Sequence, residues 1–200
     1  MDHNEKVVRQ LEDFILAAQG LQSVGNLPFD HHGKMEIGYP YIRASNQSLM
    51  VALGQLERLL EKPVNEIQFL EIGCGIGTKC ELARLLGMKA SGIDLLPEYV
   101  DLAKQVYPAC TFWHANAFEC DFQSFDVVYY HVPFFDDDLV RQLEDRVLSH
   151  IRQRAVLIVT RISETMANDR AGDATSRRGY TVQRPDFAED IGRLIVLQKS

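Results

Sequence analysis

Three glycines spaced two residues apart, Gly73, Gly75 and Gly77, stand where a predicted strand passes into a predicted helix. Glycine permits positive φ and lets a ligand approach the backbone closely, and a helix N-terminus offers N–H groups without an intrahelical partner. Two acids accompany the glycines: Glu71 just before the turn, and Asp94 at the end of the next predicted strand. A carboxylate at that second position accepts hydrogen bonds from both hydroxyls of a ribose. The pattern therefore predicts a site for a ligand that contains a nucleoside.

The spacing of the glycines leaves two classes of ligand open. Dinucleotide sites follow the pattern GxGxxG, whereas this chain reads GxGxG, with its third glycine one residue early. Glu71 would lie unfavourably beside a pyrophosphate, but its carboxylate suits the ammonium group of a methionine moiety. We therefore favour S-adenosylmethionine over a dinucleotide.

Short apolar strands and amphipathic helices alternate behind this motif. The apolar and polar periodicity predicts strands at 67–72, 89–94, 111–114, 125–130 and 155–160, and helices at 78–86, 97–105 and 137–151. Because the fifth strand is continuously apolar, we expect it to be buried on both faces, as in a parallel sheet between two helix layers. Segments 179–184 and 194–198 are β-rich and too close for a crossover helix. The expected fold is α/β: a doubly wound, mostly parallel seven-stranded sheet with an antiparallel C-terminal edge pair and an N-terminal helical lid.

Residues 70–77, LEIGCGIG, closely resemble the first motif of the class I S-adenosylmethionine-dependent methyltransferases. The resemblance extends over roughly 68–160 and, through the predicted edge pair, to Ser200. It implies methyl transfer from S-adenosylmethionine, with S-adenosylhomocysteine as the product. By position, it implies that Asp94 holds the ribose, that Leu95 lies beside the adenine, and that Asn116 replaces the aspartate that commonly meets the adenine amino group. An asparagine carbonyl accepts the same hydrogen bond. The cofactor-binding residues expected from motif and resemblance are Glu71, Gly73, Cys74, Gly75, Gly77, Asp94, Leu95, Asn116 and Ala117.

The residues after the predicted fourth strand bear on the methyl acceptor. Pro133 and Phe134 match part of the Asp/Asn/Ser-Pro-Pro-Tyr/Phe turn of enzymes that methylate planar amino groups, but His131 and Val132 do not. His131 is a candidate general base near neutral pH for a hydroxyl or ammonium acceptor. Alignment of donor and acceptor supplies much of the acceleration, because the sulfonium methyl group is already activated.

The first 45 residues are predicted to form a separate lid. A helix is expected to begin near Asn4 and end at Gly20, and a glycine- and proline-rich loop spans 23–45. The resemblance places the family's variable cover here, which makes Tyr39, Tyr41 and Arg43 the lid candidates. Residues 46–200 are then the S-adenosylmethionine-binding methyltransferase domain. Its first element is expected to be one helix that begins at Ser45 or Asn46 and ends before Pro63.

Three further features of the sequence have mainly structural interpretations. The resemblance implies that Asp126, within the predicted fourth strand, is structural. The acidic run at 136–138 is expected to cap a helix, the alternative being attraction of a basic protein substrate. Cys74 is interpreted as a small packing residue, although a helix N-terminus would lower the pKa of its thiol. The four cysteines form no CxxC pair, and no acids or cysteines at ligand spacing accompany His31 and His32. We predict reduced thiols and no metal.

Composition and net charge limit the classes of molecule that the protein is expected to bind. The net charge of −7 opposes binding to nucleic acid, and no apolar run approaches the ~20 residues that span a bilayer. The N-terminal residues show no targeting pattern, so a cytoplasmic location is expected. A small-molecule acceptor is favoured over a protein lysine, and nucleic acid ranks third. A protein that binds the cofactor or a nucleotide without turnover stays an alternative, and the sequence specifies no oligomeric state.

Overall fold

The computed structural model describes residues 46–131, 134, 136–160, 180–183 and 194–199. The predicted N-terminal helix and the loop at 23–45 lie outside the described residues. The described helices are α1 (Asn46–Leu53), α2 (Leu56–Leu60), α3 (Thr78–Leu85), α4 (Pro97–Val106) and α5 (Asp137–His150). The strands are β1 (Gln68–Ile72), β2 (Lys89–Asp94), β3 (Thr111–His114), β4 (Val127–His131), β5 (Val156–Thr160), β6 (Tyr180–Gln183) and β7 (Leu194–Lys199).

Five strands form a parallel sheet in the order β3-β2-β1-β4-β5. The order reverses at β1, because β2 and β3 extend to one side of it while β4 and β5 extend to the other. Open parallel sheets bind ligands at the carboxyl ends of the strands that flank such a reversal. The glycine turn leaves the carboxyl end of β1, so the topology places the motif at this point. Beyond β5, the backbone of β7 pairs antiparallel with β5, and β6 pairs antiparallel with β7.

Helices cover both faces of the parallel sheet, as the doubly wound prediction requires. On the first face, side chains of α1, α3 and α4 pack against alternate strand residues, among them Phe69, Tyr129 and Ile158. On the second face, α5 packs against the residues between them, such as Leu70 and Val128. The parallel α/β fold is therefore confirmed. No helix in the described part of the chain is long and apolar enough to cross a membrane.

The prediction of one helix from residue 46 to Pro63 is wrong. The chain turns at Gly54 and Gln55, and α2 starts afresh with Gln55 as its N-cap residue. Glycine is a poor helix former, and the short second helix lets the chain change direction before β1. Leu59 of α2 is half-buried and packs against the core of the first face.

The fourth strand begins two residues later than the predicted 125–130. Asp126, just before it, is a structural anchor, as expected. Its carboxylate accepts hydrogen bonds from Lys62 Nζ at 2.7 Å and from the backbone N–H of Gln68 at 2.8 Å, and it forms an ion pair with Arg152. These contacts join α2, β1, β4 and the end of α5 at the amino edge of the sheet, far from the glycine turn. The strand also ends one residue later than predicted, so His131 is the last residue of β4.

Candidate functional site

The glycine turn between β1 and α3 is built from left-handed backbone. Gly73, Gly75 and Gly77 have φ values of 68°, 52° and 84°, which side chains strongly disfavour. The turn is tied down by the N–H of Cys74, which donates to the Ile93 carbonyl at 2.9 Å, and by the N–H of Gly77, which donates to the Cys74 carbonyl at 2.8 Å. The backbone of β2 thus fixes a loop that the sequence motif requires to be free of side chains.

Close packing gives Gly77 a second reason to be glycine. A Cβ atom there would lie 2.5 Å from the ring of Phe112 on β3 and 3.3 Å from Cβ of Ala103 on α4. Gly92 on β2 is equally confined, because a Cβ atom there would meet Cβ of Cys74 at 2.7 Å and Sγ of Cys80 at 2.8 Å. The turn, α3 and the neighbouring strands therefore pack so closely that there is no space for a Cβ atom at Gly77 or Gly92.

Asp94 lies at the carboxyl end of β2, facing the turn. One carboxylate oxygen accepts from the N–H of Gly75 at 2.8 Å, and the other accepts from the N–H of Leu96 at 2.9 Å. Burial raises the pKa of this carboxyl group, while the backbone hydrogen bonds of Leu96 and Gly75 oppose the shift. Each carboxylate oxygen retains acceptor capacity for a ribose hydroxyl. Leu95 beside it is 44% exposed and presents an apolar surface next to the carboxyl group.

Glu71 is buried on the first face of the sheet, with 5% of its surface exposed. Its carboxyl group accepts a hydrogen bond from Sγ of Cys80 at 3.2 Å. Burial raises the pKa of Glu71 to about 8, although the Cys80 hydrogen bond and the charge of Lys79 both act to lower it. The carboxyl is therefore mostly protonated at neutral pH, and a cation placed beside it would favour its ionised form.

Lys79, which sequence reasoning missed, belongs to the same polar group. It lies in the first turn of α3, is 5% exposed, and donates from Nζ to the Oδ1 atom of Asn46 at the start of α1. The pattern of α3 contains a signal for its burial, because Lys79 is four residues before Ala83, which is fully buried. A lysine is normally assigned to solvent, so this signal is easily overlooked.

The expectation of a lowered pKa at Cys74 is wrong. Its thiol is buried, and burial, with the nearby carboxyl groups of Glu71 and Asp94, raises the pKa well above the ordinary value. The helix N-terminus does not compensate for this loss of solvation. All four cysteines are free thiols, and three of them are buried, so Cys74 serves as a packing residue.

Asn116 follows β3 and caps the short 3-10 helix Ala117–Glu119. Its side-chain carbonyl accepts from the N–H of Phe118 at 3.1 Å, and its amide donates to Glu119 at 3.3 Å. The capping role fixes the direction of the amide. The second lone pair of the carbonyl remains the acceptor that the predicted adenine contact requires.

His131 and Thr160 end neighbouring strands and are direct cross-strand partners. Nδ1 of His131 lies 2.8 Å from the Thr160 hydroxyl, which lies 3.1 Å from the hydroxyl of buried Tyr129. Tyr129 and Glu71 are register partners on β4 and β1, so their side chains lie on the same face of the sheet. Thr160 is a second residue that sequence reasoning missed, since only the strand register brings it to the histidine.

The remaining predicted acceptor residues are only partly described. Phe134 is half-buried, and its ring stacks on Phe118 with centroids 6.0 Å apart. Pro133 and the lid candidates Tyr39, Tyr41 and Arg43 lie outside the described residues. Asp136 is the N-cap of α5 and accepts from the N–H groups of Asp138 and Leu139 at 2.7 and 3.3 Å, which confirms the capping interpretation. Within the described ranges, no group of three or more His, Cys, Asp or Glu side chains could hold a metal ion.

Comparison with known protein families gives one match over this region. Residues 69–154 match a family model described as a methyltransferase domain. This match agrees with the resemblance of residues 70–77 to the first motif of the class I S-adenosylmethionine-dependent methyltransferases. The match to a methyltransferase domain also agrees with S-adenosylmethionine as the cofactor that the sequence predicts. A search of curated proteins gives no match to the chain.

Solved structures share the methyltransferase fold at low sequence identity. A SAM-bound amino pentose methyltransferase from Micromonospora echinaspora aligns with a TM-score of 0.60 and 13% identity, over 78% of this chain and 91% of that one. A ribosomal protein L11 methylase from Lactobacillus delbrueckii subsp. bulgaricus aligns with a TM-score of 0.56 and 18% identity, over 77% and 78%. A magnesium protoporphyrin IX methyltransferase from Synechocystis, with bound SAM, has a TM-score of 0.56 and 14% identity, over 94% and 97%. These three proteins act on unlike acceptors, so the shared fold does not specify the acceptor of this chain.

The polar groups of the site match the chemistry of the methyltransferase cofactor. Asp94 presents carboxylate oxygens of the kind that bind a ribose, and Leu95 presents an exposed apolar surface of the kind that covers an adenine. Glu71 offers a carboxyl group to a cation, and left-handed glycines keep the backbone between the two acids clear of side chains. The residues present therefore fit S-adenosylmethionine.

Proposed function

We propose that this methyltransferase transfers a methyl group from S-adenosylmethionine to a small-molecule acceptor. The observation that carries the proposal is the pair of acids, Glu71 and Asp94, at the carboxyl ends of the adjacent strands β1 and β2 on either side of the glycine turn. When bound, the cofactor supplies a methyl group already activated by a sulfonium. The chain itself needs to bind the cofactor and the acceptor, orient them and exclude water from the site.

The proposed cofactor contacts follow from the positions of the side chains. We assign the ribose hydroxyls to Asp94, one face of the adenine to Leu95, and the adenine amino group to the carbonyl of Asn116, with Ala117 beside it. Glu71 takes the ammonium group of the methionine moiety. The backbone of the turn at Gly73, Cys74, Gly75 and Gly77 lies against the cofactor.

His131 is the proposed general base for the acceptor. It ends β4 beside the reversal of strand order, and Nδ1 is engaged by Thr160, which orients the ring. Nε2 is then the nitrogen assigned to receive the proton of the acceptor. Phe134, stacked on Phe118, and Pro133 are proposed to line the acceptor side.

The other parts of the chain have proposed roles in the same reaction. We propose that residues 1–45 form the N-terminal helix and lid, with Tyr39, Tyr41 and Arg43 over the donor, and that residues 46–200 form the catalytic domain. We also propose a complete seven-stranded sheet with an antiparallel edge, which the backbone pairing of β6 and β7 supports. Free, buried thiols support a reducing compartment, and we propose the cytoplasm.

A small-molecule acceptor is preferred over macromolecular ones for two reasons. The net charge of −7 opposes a nucleic acid. Asp136 is engaged as a helix cap, so the acidic run gives no separate support for docking of a basic protein.

Calorimetric titration tests the proposal without a known acceptor. S-adenosylmethionine and S-adenosylhomocysteine are expected to bind with micromolar affinity, and NAD is expected not to bind. Binding of NAD alone would contradict the proposal, because the glycine spacing would then have been assigned to the wrong ligand. An acceptor screen with labelled S-adenosylmethionine, over small metabolites and lysine-rich peptides, then separates the acceptor classes. Binding without any turnover would favour a non-catalytic role.

The base role of His131 has its own test once an acceptor is found. His131→Ala is expected to lower turnover and to remove the rise of the rate with pH around neutrality. His150→Ala, at the distant end of α5, is the matched control and is expected to keep the wild-type profile. Wild-type turnover of His131→Ala across the pH range would contradict the role.

A further inference from the structure

Lys79 is a buried charged group to which the proposed function gives no role. Lysine is almost never buried without a compensating partner, because removing an ammonium group from water costs several kcal/mol. Lys79 is nonetheless 5% exposed, and it lies two residues after Gly77 in the first turn of α3. Its burial at the edge of the cofactor site requires a reason.

The side chain of Lys79 has a neutral hydrogen-bond partner, Asn46, and its charge influences an acidic group, Glu71. Nζ donates to the Oδ1 atom of Asn46, which holds the ammonium group between α1 and α3. Its charge also acts on the carboxyl group of Glu71, where it opposes the effect of burial. Glu71 is the fourth residue of β1, and the loop between it and Lys79 is the glycine turn. The carboxyl group of Glu71 also accepts a hydrogen bond from Sγ of Cys80, the residue that follows Lys79 on α3, at 3.2 Å. The carboxyl group therefore lies against the helix turn that carries Lys79.

A carboxyl group and an ammonium group at the same turn are complementary to the zwitterion of an α-amino acid. Such a head group carries an ammonium and a carboxylate on one carbon, and each is recognised by a group of opposite charge. The proposed function already pairs Glu71 with the ammonium, and this further step rests on it. We infer that Lys79 binds the α-carboxylate of the cofactor's methionine moiety, with Asn46 positioning its ammonium group.

This pairing has a consequence for selectivity. A ligand that keeps the adenosine but lacks the carboxylate would leave Lys79 buried beside an empty position, which is costly. A lysine that only ties α1 to α3 through Asn46 would instead influence every ligand of the site alike. The two roles therefore differ in a measurable way.

The experiment compares two ligands that differ by one carboxylate. S-adenosylhomocysteine and decarboxylated S-adenosylhomocysteine are titrated calorimetrically into the wild type, into Lys79→Met and into the control Lys89→Met. Lys89 is an exposed lysine at the amino end of β2, so both variants change the net charge equally. We expect Lys79→Met to weaken the binding of S-adenosylhomocysteine about tenfold or more, as for a lost charge-assisted contact, and to leave the decarboxylated ligand within about twofold. Lys89→Met is expected to change neither.

Each other outcome overturns the inference. Equal losses for the two ligands in Lys79→Met would show a structural role, and no loss would show no role. If Lys79→Met fails to fold, the wild type alone decides, because an equal affinity for the two ligands would show that no residue reads the carboxylate. Failure of the wild type to bind S-adenosylhomocysteine at all would overturn the proposed function as well, which distinguishes the two failures.

Discussion

At the scale of single residues, the main polar groups of the site are two carboxyl groups whose ionisation is disfavoured by burial. Burial raises the pKa values of both Glu71 and Asp94, yet each has a different compensation. Asp94 accepts two backbone hydrogen bonds, whereas Glu71 has a thiol and a neighbouring ammonium. Both groups gain from a ligand that supplies hydroxyl or ammonium donors. The two carboxyl groups therefore predict separate effects on affinity and on stability.

Asp94→Ala is expected to weaken the binding of S-adenosylhomocysteine by ~1.5–3 kcal/mol, the range for hydrogen bonds to charged groups. Two losses contribute, because the variant removes the proposed ribose contact and also frees the N–H of Gly75. Calorimetry measures the change, and a thermal melt verifies folding. Asp101→Ala, an exposed position on α4, is the control and is expected to bind like the wild type. Unchanged affinity in Asp94→Ala would remove Asp94 from the site.

Glu71 is expected to make the fold less stable as the pH rises. The folded carboxyl keeps its proton up to about pH 8, whereas the unfolded chain loses it near its ordinary pKa of 4.5. Between these values the folded state binds more protons, so the free energy of unfolding falls with increasing pH.

The isosteric variant Glu71→Gln removes this titration and keeps an acceptor for Cys80. From pH 5 to pH 8 the wild type is expected to lose at least about 1 kcal/mol more stability than the variant, which is less than the effect of one pKa unit. Urea unfolding at several pH values measures the difference. The raised pKa of Asp94 contributes to both proteins alike. Parallel pH profiles would contradict the shift at Glu71.

At the scale of elements, the turn between β1 and α3 packs closely against β3 and α4, with no space for a Cβ atom at Gly77. Sequence reasoning predicted the turn, since three glycines between a strand and a helix need no tertiary information. It did not predict the break at Gly54, because the leucine pattern of 49, 53 and 56 continues through it. The role of a glycine thus depends on what packs around it. We therefore expect alanine to be destabilising at Gly77 and tolerated at Gly54.

Gly77→Ala is expected to destabilise the protein by about 2–4 kcal/mol. An alanine at φ +84° carries the left-handed strain, and its Cβ would overlap the ring of Phe112. Gly54→Ala is the control, because its Cβ would meet ordinary contacts only, the nearest at 3.4 Å, and its stability is expected to change by less than about 1 kcal/mol. Chemical unfolding of both variants measures the contrast. Equal effects at the two glycines would mean that the packing at Gly77 is wrongly described.

At the scale of the whole molecule, structural and functional polar groups lie at opposite edges of the sheet. The amino edge is joined by Asp126, whose carboxylate contacts Lys62, Gln68 and Arg152. The carboxyl edge holds the glycine turn and the proposed site. Stability and ligand binding should therefore be separable by mutation.

Asp126→Asn is expected to cost about 2–4 kcal/mol of stability, because a buried carboxylate with three partners loses its charge. The folded variant is expected to bind S-adenosylhomocysteine as the wild type does, since the change lies at the far edge of the sheet. Glu61→Gln breaks the exposed ion pair with Arg154 and is expected to cost less than about 1 kcal/mol. Thermal melts and calorimetry together measure both properties. A loss of affinity in folded Asp126→Asn would contradict the separation.

The sequence alone determined the parallel α/β fold, the glycine turn and the two acids. Each of these features depends on a short stretch of sequence: the periodicity of a strand, glycines that need positive φ, and an acid at the end of a strand. The tertiary structure decided which side chains meet across elements. Glu71 meets Cys80, next to Lys79, because α3 packs onto β1, and Thr160 reaches His131 because β4 and β5 pair in one register. It also decided that the thiol of Cys74 is held protonated, since burial, which no local pattern gives, outweighs the helix N-terminus.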